Sequence, residues 1–265
     1  MTYGDLLLEK EGHVAIITLN APEKLNAFTA KMRVSLPLAV DEIARDDEVR
    51  VVILTGAGRG FCTGADVSGM STRATSPAQI SRYTLLQRTG WPFASLFPQL
   101  SKPVIAAING PCAGAGFSLA LSCDIRIAAE AARFSSIFVL RGLVPDTAMS
   151  FFLPRVVGLS KALELMFTGE LITAAEAERL GIVSRVVTDG ELMKAARELA
   201  NRLAQQPPIP VALTKQMVWN SMIAEIHHQL DLETAGQQIC WLTEDHKEAV
   251  RAFMERRPLP QFKGR

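Results

Sequence analysis

Between Lys102 and Asp124 the chain reads PVIAAINGPCAGAGFSLALSC, 21 residues without a charge (103–123). That length would admit a membrane-spanning helix. Asn109, Gly110, Pro111, Gly114 and Gly116 interrupt the apolar pattern, however, where a spanning helix would carry Leu or Ile. The run divides instead into a buried strand, VIAAIN, a turn at Gly110-Pro111, and a helix opening near Gly114-Ala115-Gly116. Small residues at a buried helix N-terminus leave backbone N–H groups unpaired and reachable. Such groups suit negative charge, an enolate oxygen among others.

On both sides of this run, short β-branched segments alternate with helical patterns. HVAIITLN (13–20), TAKMRVSLPLAVDEIARD (29–46), VRVVILTG (49–56), a helix-like stretch from Pro77 to Phe97, and PVIAAING (103–110) succeed one another. DIRIAAE (124–130) and GIVSRVV (181–187) supply further strands. Strand, helix, strand in succession predicts an α/β core with crossover connections. Pro37 lies inside the first helical pattern and predicts a kink or break there. SGMSTRATSP (68–77) reads as a mobile loop. After about residue 190 the strand signal stops, and four amphipathic helical patterns take over, from ELMKAARELANRLAQQ (191–206) to EDHKEAVRAFMERR (244–257). Apolar faces this numerous on a terminal helical region call for a partner surface, so oligomerisation is expected.

Composition bounds the function. The 265 residues are 48% hydrophobic and 21% charged with a net charge of +1, ordinary globular material with no broad basic face. Nucleic acid and anionic membranes are therefore not expected partners. Cys62, Cys112, Cys123 and Cys240 lack C-x-x-C spacing and three lie in apolar surroundings, which predicts reduced thiols in a cytoplasmic protein. MTYGDLLLEKEGH (1–13) lacks the basic start and apolar core of a secretory signal. His13, His227, His228 and His246 form no pair with metal-ligand spacing in a plausible site, so no metal is expected.

Gly56-Ala57-Gly58-Arg59-Gly60 comes after a strand but matches neither G-x-G-x-x-G nor a phosphate loop with its lysine, and reads as a plain glycine turn. The residues on either side of it are more telling. GRGFCTGADV (58–67), with NAPEKLNAF (20–28) upstream and SKPVIAAINGPCAGAGFSLALSCDIRIAAEAARF (101–134) downstream, resembles the crotonase superfamily, also called the enoyl-CoA hydratase/isomerase family. GLVPD (142–146), FTGELITAAEAERLGIVSRVV (167–187) and RRPLPQFKGR (256–265) continue the resemblance in order to the end of the sequence. It implies an α/β fold in which ββα units wind into a spiral, with a helical C-terminal trimerisation region. Residues 1–195 are then the acyl-CoA-binding core and 196–265 the oligomerisation region of a homotrimer or dimer of trimers. The substrate implied is an acyl-CoA thioester, with CoA part of the substrate and no separate cofactor.

Matched position by position, the resemblance puts an oxyanion hole on the backbone N–H groups of Ala65, in GAD, and Ala115, in GAG. Lys24, Leu25 and Ala27 match the stretch near the CoA nucleotide; Thr63, Asp66 and Val67 flank the adenine and pantetheine path, and Gly64 joins that substrate-binding set. Loop solvation and turn formation are the competing readings of these loop residues. Phe61, Met70, Phe93, Phe97, Phe138, Met149 and Phe262 suggest an apolar acyl pocket, of which Met70, Phe138 and Phe262 are taken as substrate-binding; ordinary core is the alternative for each.

Departures from the pattern narrow the chemistry. Family hydratases use two glutamates to position and activate water, and the matching positions here are Ser118 and Phe138. Ser118 either contacts substrate or bonds backbone within its own helix. One acidic candidate remains, Asp146 in GLVPDTAMSFFLPRVVG (142–158). The segment resembles the single-aspartate branch that contains the isomerase of epoxidised phenylacetyl-CoA, which implies that Asp146 shuttles a proton while Ala65 and Ala115 hold the enolate. Three alternatives stay open: an aryl-CoA dehalogenase-like nucleophile, an atypical hydratase, and a CoA-ester-binding protein in which Asp146 caps the next helix. The nucleophile reading wants a nearby histidine, and Trp91 to Leu100 supplies only Gln99. Ala148 and Met149 stand where related chains carry glycines, predicting a bulkier pocket floor. Asp124 reads as a turn or an anchor for Arg126. No G-x-S-x-G elbow occurs, which disfavours a serine hydrolase.

Overall fold

Alternating apolar residues in LLLEKE and VAIITL, joined by Gly12-His13, make an antiparallel hairpin of β2 (Leu6–Glu11) and β3 (Val14–Leu19), edged by the short β1 (Thr2–Tyr3). The structure is a computed structural model and describes residues 2–66 and 93–265. SGMSTRATSP and most of the helical stretch expected from Pro77 lie outside the described residues.

From the hairpin the chain enters α1 (Ala30–Arg45), whose N-cap Thr29 accepts the Met32 N–H at 3.1 Å. Of the kink or break that Pro37 predicts, the break does not occur. The helix runs through it unbroken, because Met32, Leu36, Ala39, Val40 and Ile43 bury one face, and that packing outweighs the hydrogen bond proline removes. Then come β4 (Val51–Gly56), α2 (Phe93–Gln99), β5 (Val104–Ile108), β6 (Pro111–Ala113), α3 (Ala115–Leu121), β7 (Ile125–Ala129) and β8 (Arg133–Ser135). A 3-10 helix (Phe138–Arg141) leads to α4 (Met149–Val157), α5 (Leu159–Thr168), β9 (Ile172–Thr173), α6 (Ala174–Arg179) and β10 (Arg185–Val187).

Among the described residues seven strands form one sheet in the order β1-β2-β3-β4-β5-β7-β10, parallel from β3 onward, and β6-β8-β9 form a second. Together with the intervening helices these sheets make the expected α/β spiral of ββα units. Parallel strands covered on both faces need apolar residues at nearly every position, which is why VVILTG and VIAAI read as continuous runs. On one face Ile17, Val52, Leu54 and Ala106 pack toward Phe28, Met32, Leu36 and Phe117. The other face, with Ile16, Ile53, Ile105 and Ile127, is closed by Leu192, Ala196 and Ala200 of α7 (Leu192–Ala204). The boundary drawn between residues 195 and 196 thus falls inside a helix that belongs to the core sheet.

Beyond it, α8 (Pro208–Ser221), α9 (Ile226–Leu242) and α10 (Glu244–Met254) complete the helical C-terminal region. Asp124 ties α8 to the core: it accepts Lys215 Nζ at 2.7 Å, Trp219 Nε1 at 2.8 Å and the Val104 N–H at 2.7 Å. Desolvation pulls the Lys215 ammonium below its usual range. Arg126 is not its partner, since that guanidinium donates to the carbonyls of Cys123 and Ile182. Large apolar residues remain exposed on this region, among them Ile223, Leu242, Phe253 and Met254. No described helix is long and apolar enough to cross a membrane.

Candidate active site

Three loops at the ends of β3, β4 and β5 are stitched together by backbone pairing. Cys62 N–H donates to the Pro111 carbonyl and accepts back from Ala113 N–H through its own carbonyl, at 3.1 and 2.9 Å. On the opposite side Phe28 N–H donates to Gly64 O at 2.7 Å and Asp66 N–H to Phe28 O at 3.4 Å. Asn26, fully buried with φ +56°, locks the stack: its Oδ1 accepts Ala21 N–H at 2.9 Å, and its Nδ2 donates to Ala57 O at 2.8 Å and Gly60 O at 2.7 Å. Asn109 Nδ2 bonds Gly58 O at 2.9 Å. Two asparagine amides therefore occupy the carbonyls of Ala57, Gly58 and Gly60 and hold this segment as a turn against the neighbouring loops.

This pairing decides where Ala65 points. In a parallel bridge to Phe28, residues 64 and 66 bond the neighbour, and the N–H of residue 65 turns to the other side. There lies the start of α3. Gly64, at φ +95°, approaches it so closely that a Cβ would stand 3.1 Å from Ala113 O and 3.3 Å from Ala115 N. Gly114, at φ 52° and ψ −127°, turns the chain into α3 in a conformation that glycine alone adopts without strain. Ala115 is the first helical residue, so its N–H has no intrahelical acceptor. Among the described residues neither the Ala65 nor the Ala115 N–H donates to any acceptor.

Both line one cavity of about 540 Å³, with Lys24, Ala27, Thr63, Gly64 and Asp66 on the side of the 21–28 loop. Ile137, Phe138, Arg141, Leu143 and Asp146 line it from the segment after β8. Asp66 is engaged by Lys24 at 2.7 Å, and that hydrogen bond holds the ammonium above its usual range. Asp146 has no cationic partner among the described residues. Nor does it cap α4. The N-cap position is Ala148, with no side-chain cap, and the Asp146 carboxylate instead accepts Thr147 Oγ1 at 2.6 Å. Its main-chain carbonyl accepts Met149 N–H at 3.1 Å and Ser118 Oγ at 3.2 Å.

Ser118 is fully buried and spends its hydroxyl on the carbonyls of Gly114 and Asp146, so the backbone-bonding reading holds and it does not line the cavity. Leu25 packs against Gly60 outside the cavity, and Thr63 Oγ1 lies 3.4 Å from Lys24 O. Phe262, expected at the substrate, is elsewhere: it is 4% exposed in the C-terminal tail, where its carbonyl accepts Arg50 and Asp245 binds the N–H groups of Lys263 and Gly264. Phe61, Phe93, Phe97 and Met149 are core. Ala148 and Met149 do not form the cavity floor. The effect of Ala148 is on the backbone, since it and Thr147 adopt φ +61° and +54°, the region glycine favours. Val67 and Met70 lie outside the described residues.

Asn26, Thr147, Arg141 and Leu143 are not singled out by sequence reasoning. Asn26 and Thr147 act through bonds to partners that no local pattern announces. Burial pushes the Cys62 thiol up to about 12 and raises Cys112 and Cys123 as well, so these three are poor nucleophiles at neutral pH. All four cysteines are free, and no described group of His, Cys, Asp and Glu could hold a metal ion.

A model of the family described as enoyl-CoA hydratase/isomerase matches residues 9–265. The chain is 40% identical to a short-chain-enoyl-CoA hydratase of Clostridium acetobutylicum, with all of both chains covered, and 39% identical to a 1,2-epoxyphenylacetyl-CoA isomerase of Escherichia coli, with 98% of each covered. A crystal structure of an enoyl-CoA hydratase/isomerase from Cupriavidus metallidurans superposes with a TM-score of 0.91 at 35% identity, covering 100% of this chain and 98% of that one.

Proposed function

This chain belongs to the enoyl-CoA hydratase/isomerase family, and we propose that within it the protein is an enoyl-CoA double-bond isomerase with Asp146 as the proton shuttle. One observation carries the reading. Among the described residues the cavity holds two unpartnered N–H groups and a single carboxylate free of a cation, while the two positions matching the hydratase glutamates are a buried, backbone-bonded Ser118 and the apolar ring of Phe138.

The thioester oxygen accepts from Ala65 and Ala115, and Lys24 and Ala27 lie where the CoA moiety enters. Asp146 takes a proton from the α carbon of a 3-enoyl-CoA, and the electron pair spreads into a dienolate held by the two N–H groups. The same carboxyl then returns the proton to the γ carbon, giving the 2-enoyl-CoA. Fixed dipoles aimed at the developing oxyanion supply the larger part of the rate, and one base serves both proton transfers. No metal or separate cofactor enters this chemistry. Assembly as a homotrimer or dimer of trimers is part of the proposal, supported by the apolar side chains left exposed on α9 and α10.

The test is proton NMR of a 3-enoyl-CoA in deuterated water with the wild-type protein and Asp146→Asn. Deuterium at the α or γ carbon with double-bond migration, and a silent variant, is the expected result. Formation of 3-hydroxyacyl-CoA from a 2-enoyl-CoA would point to the hydratase activity named for the Clostridium relative, and a covalent acyl or aryl adduct on Asp146 to a nucleophile.

A further inference from the structure

Asp146 sits on a turn that carries two consecutive left-handed residues, neither of them glycine. Thr147 is the costlier, because a β-branched side chain at φ +54° is an outlier. Its side chain is 6% exposed although Asp146 beside it is open to the cavity, and a buried hydroxyl needs a partner. Among the described residues that partner is Oδ1 of Asp146 alone, at 2.6 Å. The hydroxyl does not serve α4, whose N-cap is Ala148 without a side-chain bond. Ser118 Oγ and Met149 N–H meanwhile pin the Asp146 carbonyl. Main chain and one carboxylate oxygen are thus both held, and Oδ2 has no protein partner among the described residues.

We propose that Thr147 is a positioning residue: its hydroxyl clamps Oδ1 of Asp146 so that Oδ2 is the oxygen that removes and returns the substrate proton. The inference rests on Asp146 being the shuttle. In the first step the α C–H bond breaks, its electron pair enters the dienolate and an O–H bond forms at Oδ2; in the second that O–H bond breaks as a C–H bond forms at the γ carbon. A carboxylate free to rotate would present either oxygen at varying angles, and misplacement of about 1 Å is enough to cost about a hundredfold in rate.

The experiment measures isomerisation and deuterium uptake with 3-hexenoyl-CoA, comparing wild type with Thr147→Val, Thr147→Ser, Thr147→Gly and Asp146→Asn. Thr147→Val, of the same shape without the donor, is expected to lower kcat by about ten- to a hundredfold with KM changed by less than about twofold. Thr147→Ser restores most of the rate. Thr147→Gly accepts the left-handed backbone without strain, so it is expected to melt no lower than wild type and yet be as slow as the valine variant, which keeps the test open if Thr147→Val folds poorly. Wild-type kcat in Thr147→Val or Thr147→Gly, or a serine variant as slow as valine, overturns the clamp. If those variants run at full speed while Asp146→Asn is silent, only the clamp falls; if Asp146→Asn itself isomerises normally, the shuttle and the clamp fall together.

Discussion

The part of the cavity that presents Ala65 and Ala115 is built from backbone, whereas the part that presents Phe138 and Asp146 is built from side chains. On the first, direction comes from parallel pairing of Phe28 with 64–66 and of 61–62 with 111–113, and the contacting residues need only be small. On the second, the chemistry hangs on which side chain occupies each position and how a short strained turn aims it. An N–H pair stabilises an enolate oxygen in any reaction that makes one, while a proton must be moved by a particular carboxylate. Relatives named hydratase and isomerase resemble this chain about equally, at 40% and 39% identity, so overall identity does not choose between the two chemistries, and the choice rests on the side-chain region.

The sharpest way to break the contrast is Asp146→Asn. It is expected to lower the isomerase rate by about 10²–10⁴-fold with CoA-ester affinity retained. Thermal unfolding should not change measurably, because asparagine keeps an oxygen that can accept the Thr147 hydroxyl and the side chain makes no cap bond to α4. A normal rate with a lowered Tm would mean that the side-chain region, like the backbone one, is scaffold. Gly64→Ala strikes the other side. Its Cβ must open a gap from Ala113 O and Ala115 N in a backbone already at φ +95°, displacing one donor against the other. A fall in kcat of about a hundredfold is expected with KM little changed, since the donors act mainly on the transition state. Equal loss of binding and turnover would show that the N–H pair holds the ground-state thioester as strongly.

How much of this is legible in the sequence differs between the same two regions. Gly64, Gly114 and the uncharged run after Lys102 announce the backbone part, because a positive φ and a close approach are local demands that only glycine meets. The parallel strands show themselves through unbroken apolar runs, for the equally local reason that both faces are covered. Asn26 is invisible because its acceptors lie 31 and 34 residues away, and nothing near it in the chain marks an amide that will be buried. Phe262 is buried in the C-terminal tail, away from this cavity, and an aromatic near a terminus reads alike in sequence whether it lines a pocket or packs in a tail. The absence of glycines after Asp146 is plain in the sequence, but its consequence lies in torsion angles and not in the pocket volume it suggests. Pro37 shows the reverse, since the helix continues through it with one face buried and the local signal for a break does not prevail.

Asn26→Ala tests whether the backbone part owes its rigidity to that one amide. It leaves the carbonyl of Ala57 and the N–H of Ala21 without their buried partner, and about 2 kcal/mol of stability should be lost, read as a lower denaturant midpoint at unchanged m. Activity should fall in parallel by about tenfold as the loops carrying Lys24 and Ala65 part. The smallest effect is expected at Ala148. Glycine there relieves a left-handed alanine at φ +61° but carries more conformational entropy in the unfolded chain. The balance is about 0.5–1 kcal/mol in favour of Ala148→Gly, a rise in Tm of about 1–4 °C. Since Ala148 makes no side-chain bond to the carboxylate, kcat should hold. Should the more stable variant also turn over more slowly, the strain itself would be part of how Asp146 is aimed, and the side-chain region would depend on its backbone as closely as the other does.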